Sequence, residues 1–474
     1  MPPAKGGGTE NKMSKLSVYT RELNKEEYPF GLSSSVHFSI ENEGETVALN
    51  NNYGILFTRG EITDKNTIIP LGIEDPVIFF DEDGTIVIAG KRVENISNPY
   101  LADEDKMWAW KTKDLIHFET LGLVGSDWVK KHNFGSAIEI DEKIAKNAVH
   151  FWNPPAPSDS AVTKYQFPLA KGYGDPVIFF WKEKWYFIST SDNTHDVGIY
   201  VREADSVPGL FVSGITEHLI LPYDEKRALI QTFWAPEFHV IGGQLYILFA
   251  VSGTQWGPQC HLMKLKKDGS ITDPESWEDP VRVLRKDGSP LAKDAITLDM
   301  TYFKAGKGSY VAWSYREHIG TPDDTGSMIY IASIDEKEPW KLTSDPVLLS
   351  RPLFGWENLE GTINNEAPYT FIRDGKVYLT YSGGSANSYT YAVGLFTADQ
   401  DADLLDIKAW TKNISPILTF YSVDEYGPGH NSFFRDENDN LMIAYHGEMS
   451  IHEHLRCDMI RRVCFKDDGT PYFV

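Results

Sequence analysis

Cysteine is nearly absent from this chain: Cys260, Cys457 and Cys464 are the three among 474 residues, and their spacing suits neither a disulfide framework nor a metal knuckle. They read as ordinary buried thiols. Positive charge is also short, since 45 Lys and Arg stand against 68 Asp and Glu for a formal net charge of −23. Nucleic acid or an anionic membrane surface requires a basic patch to neutralise phosphates, so the charge argues against both partners. No apolar run reaches the roughly 18 residues needed to span a bilayer as a helix. The opening MPPAKGGGTENKM lacks the apolar core of a secretory leader. It is expected to be a flexible tail, residues 1–13, and the protein to be cytoplasmic, with secretion open if a leader has been removed.

Helical periodicity is scarce too, and that points to what is present. Segments of about six β-branched or aromatic residues, bounded by Gly, Asp or Asn, alternate with polar turns in the manner of antiparallel sheet. PVIFFWKEKWYFISTSD, FHVIGGQLYILFAVSG, MTYFKAGKGSYVAWSY, YTFIRDGKVYLTYSGG and SFFRDENDNLMIAYHG are five such hairpins. They recur at a period of roughly 60 to 67 residues, which suits β-propeller blades of about four strands each. The expected fold is all-β: a five-bladed propeller over 171–474, a β-rich module over 14–150, and a linker over 151–170 that includes WNPPAPSDSAVTKYQFP. The N-terminal module is read either as one or two blade-like sheets or as a sandwich.

Each hairpin of the propeller follows a short polar motif: YGDP, FWAPE, TLDM, NNEAP and GPGH. Innermost strands line a propeller's axis, so motifs at their starts converge on one mouth of the channel. Singly, each also reads as turn chemistry. The hexapeptide DPVIFF occurs twice, at Asp75–Phe80 and Asp175–Phe180, and only the second copy opens the series. Hydrolysis of a glycosidic bond needs one carboxylic acid to protonate the leaving oxygen and one carboxylate to activate water or attack. Asp175, Asp299 and Glu366 are the candidates, with Glu237 a fourth that is expected to pair with a nearby base or with backbone. Aromatics at 13% of residues, 13 Trp and 23 Tyr among them, supply rings for the core and for sugar faces.

The five motifs, in this order and at this spacing over about 300 residues, resemble glycoside hydrolase family 43. The resemblance implies a five-bladed, inverting enzyme acting mainly as an α-L-arabinofuranosidase, β-xylosidase or arabinanase. It implies Asp175 as general base, Glu366 as general acid, and Asp299 as the carboxylate that tunes and orients the acid. Inversion places the first two about 6.5 to 9.5 Å apart with water between. Trp234 and Phe233 of FWAPE are implied as substrate-binding aromatics, a blade-packing role for Trp234 staying open. Arg456 is implied as the arginine that reaches sugar hydroxyls, with Arg461 and Arg462 as alternatives and a surface ion pair as another reading.

The chemistry needs no cofactor, but the match of His430 to an axial histidine implies a structural, mostly water-coordinated calcium ion. One histidine without an acidic cluster falls short of calcium's six to eight oxygens. The expected partner is a plant cell-wall oligosaccharide or polysaccharide. The expected activity is exo release of terminal α-L-arabinofuranose from arabino-oligosaccharides or arabinoxylan branches. β-Xylosidase and β-galactofuranosidase are alternatives within the family, and a non-catalytic carbohydrate-binding propeller is the alternative outside it.

Overall fold

The computed structural model describes residues 12–94, 105–157, 165–306, 308–359 and 363–474. Among these, strands dominate and form two compact units. One comprises residues 1–60 and 70–157, the other 61–69 and 158–474.

Five four-stranded antiparallel sheets make up most of the second unit, each running in simple sequence order. Their first strands are Tyr173–Trp181, Gln231–Ile241, Ile296–Ala305, Asn365–Arg373 and Tyr426–Arg435, called here the inner strands of blades I to V. The alternation read in the sequence places apolar side chains on both faces of each blade, because each is sandwiched between two neighbours. Val177 and Ile188 of blade I thus pack with Phe238, Ile247 and Phe249 of blade II, and Phe434 and Met442 of blade V pack with Ile178 and Trp185 of blade I. Backbone pairing of the lead-in to blade I with blade V closes the ring: Leu169 N donates to Asp458 O at 2.9 Å and Gly172 N to Arg456 O at 2.9 Å.

Every inner strand is interrupted near its start by a residue in the left-handed region: Asp175 (φ 61°), Ala235 (φ 45°), Asp299 (φ 53°), Ala367 (φ 54°) and His430 (φ 46°). The register with the second strand shifts at each. Such bulges re-aim a side chain and are costly for non-glycine residues unless the surroundings hold them. Here the bulge amide is fastened to the neighbouring blade in four of the five cases. Ala235 N donates to Thr190 Oγ1 (2.8 Å), Ala367 N to Ser314 Oγ (3.1 Å), His430 N to Ser382 Oγ (2.8 Å) and Asp175 N to His446 Nδ1 (3.1 Å).

The N-terminal unit holds two four-stranded sheets. One has the order Ala137–Asp141, Met13–Tyr19, His37–Asn42, Glu45–Ala48, and the other is a meander of Leu71–Phe80, Ile86–Glu94, Lys106–Thr112 and Glu119–Gly125. The meander is blade-like down to its bulge, with Asp75 at φ 48° and a register shift between Glu74 and Val77. A helix, Glu142–Trp152, follows, with Asp141 capping it by accepting from Lys143 N at 2.8 Å.

Three boundaries differ from the sequence reading. The helix runs into the expected linker, whose central residues 158–164 lie outside those described. Most of the expected tail also lies outside them, and Met13 already begins a strand. The segment Glu61–Ile69, inside the expected N-terminal module, groups with the propeller unit.

Candidate active site

The bulges bring the motif side chains together at one mouth of the axis. A cavity of about 810 Å³ there is lined by Asp175, Trp234, Asp299, Glu366, His430 and Arg456, together with Asp192, Asp196, Arg316 and Asn364. The opposite mouth, a cavity of about 930 Å³ lined mainly by inner-strand aromatics, lacks the three carboxylates. Glu237 turns away from the carboxylate mouth and accepts from, or donates to, His239 Nε2 at 2.6 Å, in keeping with its expected pairing to a base.

Asp175 is buried, its side chain 6% exposed, and is surrounded by donors. Arg456 donates to its Oδ1 at 3.1 Å, His430 Nδ1 lies 3.0 Å from the same oxygen, and Thr190 donates to Oδ2 at 2.5 Å. Burial alone would raise its pKa, but His430, Arg456 and His446 outweigh burial and hold it well below the ordinary carboxylate range. Burial also lowers the pKa of His430. The always-charged Arg456, anchored to Asp192 Oδ2 at 3.0 Å, is therefore the secure countercharge.

Glu366 sits one residue ahead of the blade IV bulge and has the opposite environment. Burial pushes it up to about 7, against the hydrogen bond donated by Tyr391 Oη to Oε1 at 2.9 Å and the charge of Arg316. Asp299 is likewise raised to about 7, by burial first and then, against His430, by the charges of Glu366 and Asp175. Its Oδ2 accepts from Ser314 Oγ at 2.8 Å and from Ala367 N at 3.1 Å, the amide adjoining Glu366. Asp299 thus grips the backbone that carries Glu366. The cavity holds one carboxylate kept ionised and two others that favour a proton near neutrality.

Of the predicted binding residues, Trp234 lines the cavity and engages Asp196 by its side chain. Phe233 does not face it: at 1% exposure it lies in the core between blades I and II, because neighbouring strand residues point to opposite sides. That corrects its expected substrate role. Of the arginines expected there, Arg456 lines the cavity, whereas Arg461 is committed to Glu425, with Nη2 to Oε1 at 2.9 Å. The sequence reading missed Arg316, Tyr391, Asp192, Asp196 and the clasps Thr190, Ser314 and His446. The clasps carry a weak signal, as Thr190 and Ser314 each stand 15 residues after the bulge aspartate they bind.

A metal finds little here. Among the described residues no three His, Cys, Asp or Glu side chains form a group suited to an ion, and His430 is turned to Asp175. The chemistry proposed for this site uses no metal ion.

A five-bladed ring that gathers three carboxyl groups in one axial cavity has the groups that hydrolysis of a glycosidic bond requires. The comparisons with known proteins carry this to a family. The model for "Glycosyl hydrolases family 43" matches residues 165–471, and the chain belongs to that family. It is 29% identical over 329 residues to the extracellular exo-α-(1→5)-L-arabinofuranosidase of Streptomyces avermitilis, covering 67% of this chain and 64% of that protein. It is 30% identical over 284 residues to the enzyme of the same name from Streptomyces chartreusis, covering 60% of this chain and 82% of that one. Among solved structures, the α-L-arabinofuranosidase from Lactobacillus brevis matches at 30% identity and a TM-score of 0.57, covering 65% of this chain and 96% of that one. The chain thus spans less than two thirds of the length of the Streptomyces avermitilis relative. The cytoplasmic location expected from the N-terminal residues is overturned, since both Streptomyces relatives are named extracellular enzymes.

Proposed function

We propose that this protein is an inverting, exo-acting α-L-arabinofuranosidase that releases terminal arabinofuranose from arabino-oligosaccharides or arabinoxylan side chains. The observation that carries the reading is one cavity holding two carboxyls in opposite surroundings, Asp175 ringed by Arg456, His430 and Thr190, and Glu366 buried beside Tyr391. Asp175 takes a proton from water as the water oxygen bonds to the anomeric carbon. The bond from that carbon to the leaving oxygen breaks, and Glu366 delivers its proton to the departing oxygen. Asp299, bonded to the amide next to Glu366, orients the acid, while burial keeps Glu366 protonated. Trp234 offers an aromatic face to the sugar and Arg456 a donor to its hydroxyls. The names of the relatives support arabinofuranose and exo attack.

The test is a panel of nitrophenyl furanosides and pyranosides with NMR of the first anomer released. The expected outcome is fastest turnover of the α-L-arabinofuranoside with inversion. Retention would refute the roles given to Asp175 and Glu366, a preferred β-xyloside or β-galactofuranoside would change the substrate, and binding without turnover of any member would make the propeller a lectin-like module.

A further inference from the structure

The segment Glu61–Ile69 leaves the N-terminal unit in sequence and joins the propeller unit in space. It is a minimal hairpin: Glu61–Ile62 pairs with Ile68–Ile69, and Thr63 and Thr67 tie the turn through their hydroxyls at 2.7 Å. At the turn, Asn66 adopts a left-handed backbone (φ 65°), a conformation that asparagine tolerates better than other side-chain-bearing residues. Its two carbonyls then face one guanidinium. Arg351 donates from Nη1 to Asn66 Oδ1 at 2.6 Å and from Nη2 to Asn66 O at 2.8 Å.

Arg351 is 8% exposed, and among the described residues no carboxylate lies within ion-pair distance of it. A buried cation with no carboxylate in ion-pair contact, on which Glu317 acts only by charge at longer range, depends on neutral acceptors, and Asn66 supplies two. The third is Thr325 O, at 3.2 Å from Nη2. Thr325 belongs to the loop that follows the second strand of blade III. Thr325 Oγ1 accepts from Glu317 N at 3.0 Å, and the adjoining Asp324 holds Arg316 in a two-pronged ion pair, Nε to Oδ1 at 2.8 Å and Nη2 to Oδ2 at 2.7 Å. Arg316 reaches into the cavity, donates to Asn364 Oδ1 at 3.1 Å and acts on Glu366 by its charge. The exposed pair Lys65 to Asp323, at 2.9 Å, adds a second tie to the same loop.

We propose that the hairpin Glu61–Ile69 is a positioning element for the active site, Asn66 fixing through Arg351 the loop that sets Arg316 beside the proton donor. Arg351 and Asn66 are positioning residues and touch no substrate. The inference rests on Glu366 being the general acid. The groups facing Glu366 and bearing on its titration are Tyr391, Arg316, Asp175 and Arg456; besides burial, Asp299 is raised by the charge of Glu366 and lowered by that of His430.

The decisive variant is Asn66→Gly, which keeps the left-handed backbone and main-chain carbonyl and removes only the side-chain acceptor. Asn66→Asp restores an acceptor at the same place. In the full chain, Asn66→Gly is expected to lower kcat by about tenfold, a misplacement effect. It should also move the basic limb of the pH profile upward, because a displaced Arg316 no longer favours the Glu366 carboxylate. Asn66→Asp should recover both. Arg351→Lys, which keeps the charge and loses the fork, provides a second perturbation with the same expected shift. Wild-type kcat and an unmoved basic limb in both Asn66→Gly and Arg351→Lys would overturn the proposal, even if their thermal stability fell. Glu366→Gln is measured alongside. Retained hydrolysis of an arabino-oligosaccharide by that variant removes the reading of Glu366 as acid, whereas its loss together with unaltered Asn66→Gly kinetics removes this inference alone.

Discussion

Replacing Glu366 by Gln preserves the shape of the side chain and the acceptor for Tyr391 Oη, and deletes the exchangeable proton. General acid catalysis by a placed carboxyl contributes roughly 10² to 10⁴ in rate, about 2.7 to 5.4 kcal/mol of barrier. The full loss is expected on an arabino-oligosaccharide, whose sugar leaving group needs protonation. A nitrophenyl arabinofuranoside, whose phenolate departs unaided, should lose far less. Stability should move the other way. Glu366 is raised from 4.5 to about 7, so in the wild type its folded form favours the proton. The penalty of ionising it in the fold is absent below about pH 4.5, grows as pH rises, and is complete above about pH 7. Gln escapes that penalty, so Glu366→Gln should raise Tm little at pH 4.5 and most at pH 8, by an amount of order 3 kcal/mol in stability. Kinetics on both substrates and differential scanning calorimetry across pH 4.5 to 8 test the two halves. Equal loss on both substrates would refute the acid role, and a Tm gain that shrinks with pH would refute the burial argument.

In the wild type, activity should fall as pH rises through about 7, where Glu366 loses its proton, while the depressed pKa of Asp175 keeps the base ionised far into acid; a pH–rate profile checks both limbs. Asp175→Asn should abolish turnover, whereas Asp75→Asn should leave kcat/KM within about twofold, because Asp75 is 74% exposed and pairs only loosely with Lys91 at 3.1 Å. Thr190→Val strips Asp175 of a donor and Ala235 N of its acceptor at a fully buried position, so unfolding should become easier by about 1 to 3 kcal/mol, read as a lower Tm. Trp234→Ala should raise KM roughly five- to thirtyfold for a loss of about 1 to 2 kcal/mol of ring contact, with kcat less affected in steady-state assays.

The blades were legible in the sequence because their causes are local. Two-residue periodicity, turns such as Asp374-Gly375, and motifs recurring at blade spacing all act within a few residues, and each hairpin announces itself. The order of YGDP, FWAPE, TLDM, NNEAP and GPGH likewise foretold which side chains would meet, since a propeller turns sequence period into angular position. What the sequence could not decide is where each side chain points after a bulge. Phe233 and Trp234 are neighbours in one motif, yet one enters the core and the other the cavity.

The two DPVIFF copies show the same limit. Both aspartates take a left-handed backbone and the same register shift, and local physics makes them twins. The surroundings separate them. Asp175 is enclosed by Thr190 from its own blade and by His430, His446 and Arg456 from the far end of the chain, while Asp75 faces solvent beside Lys91. Those partners lie up to 281 residues away. Arg316, Tyr391 and the Asn66 hairpin were hidden for the same reason: charge and proton affinity at the site depend on contacts that exist only once the ring has closed.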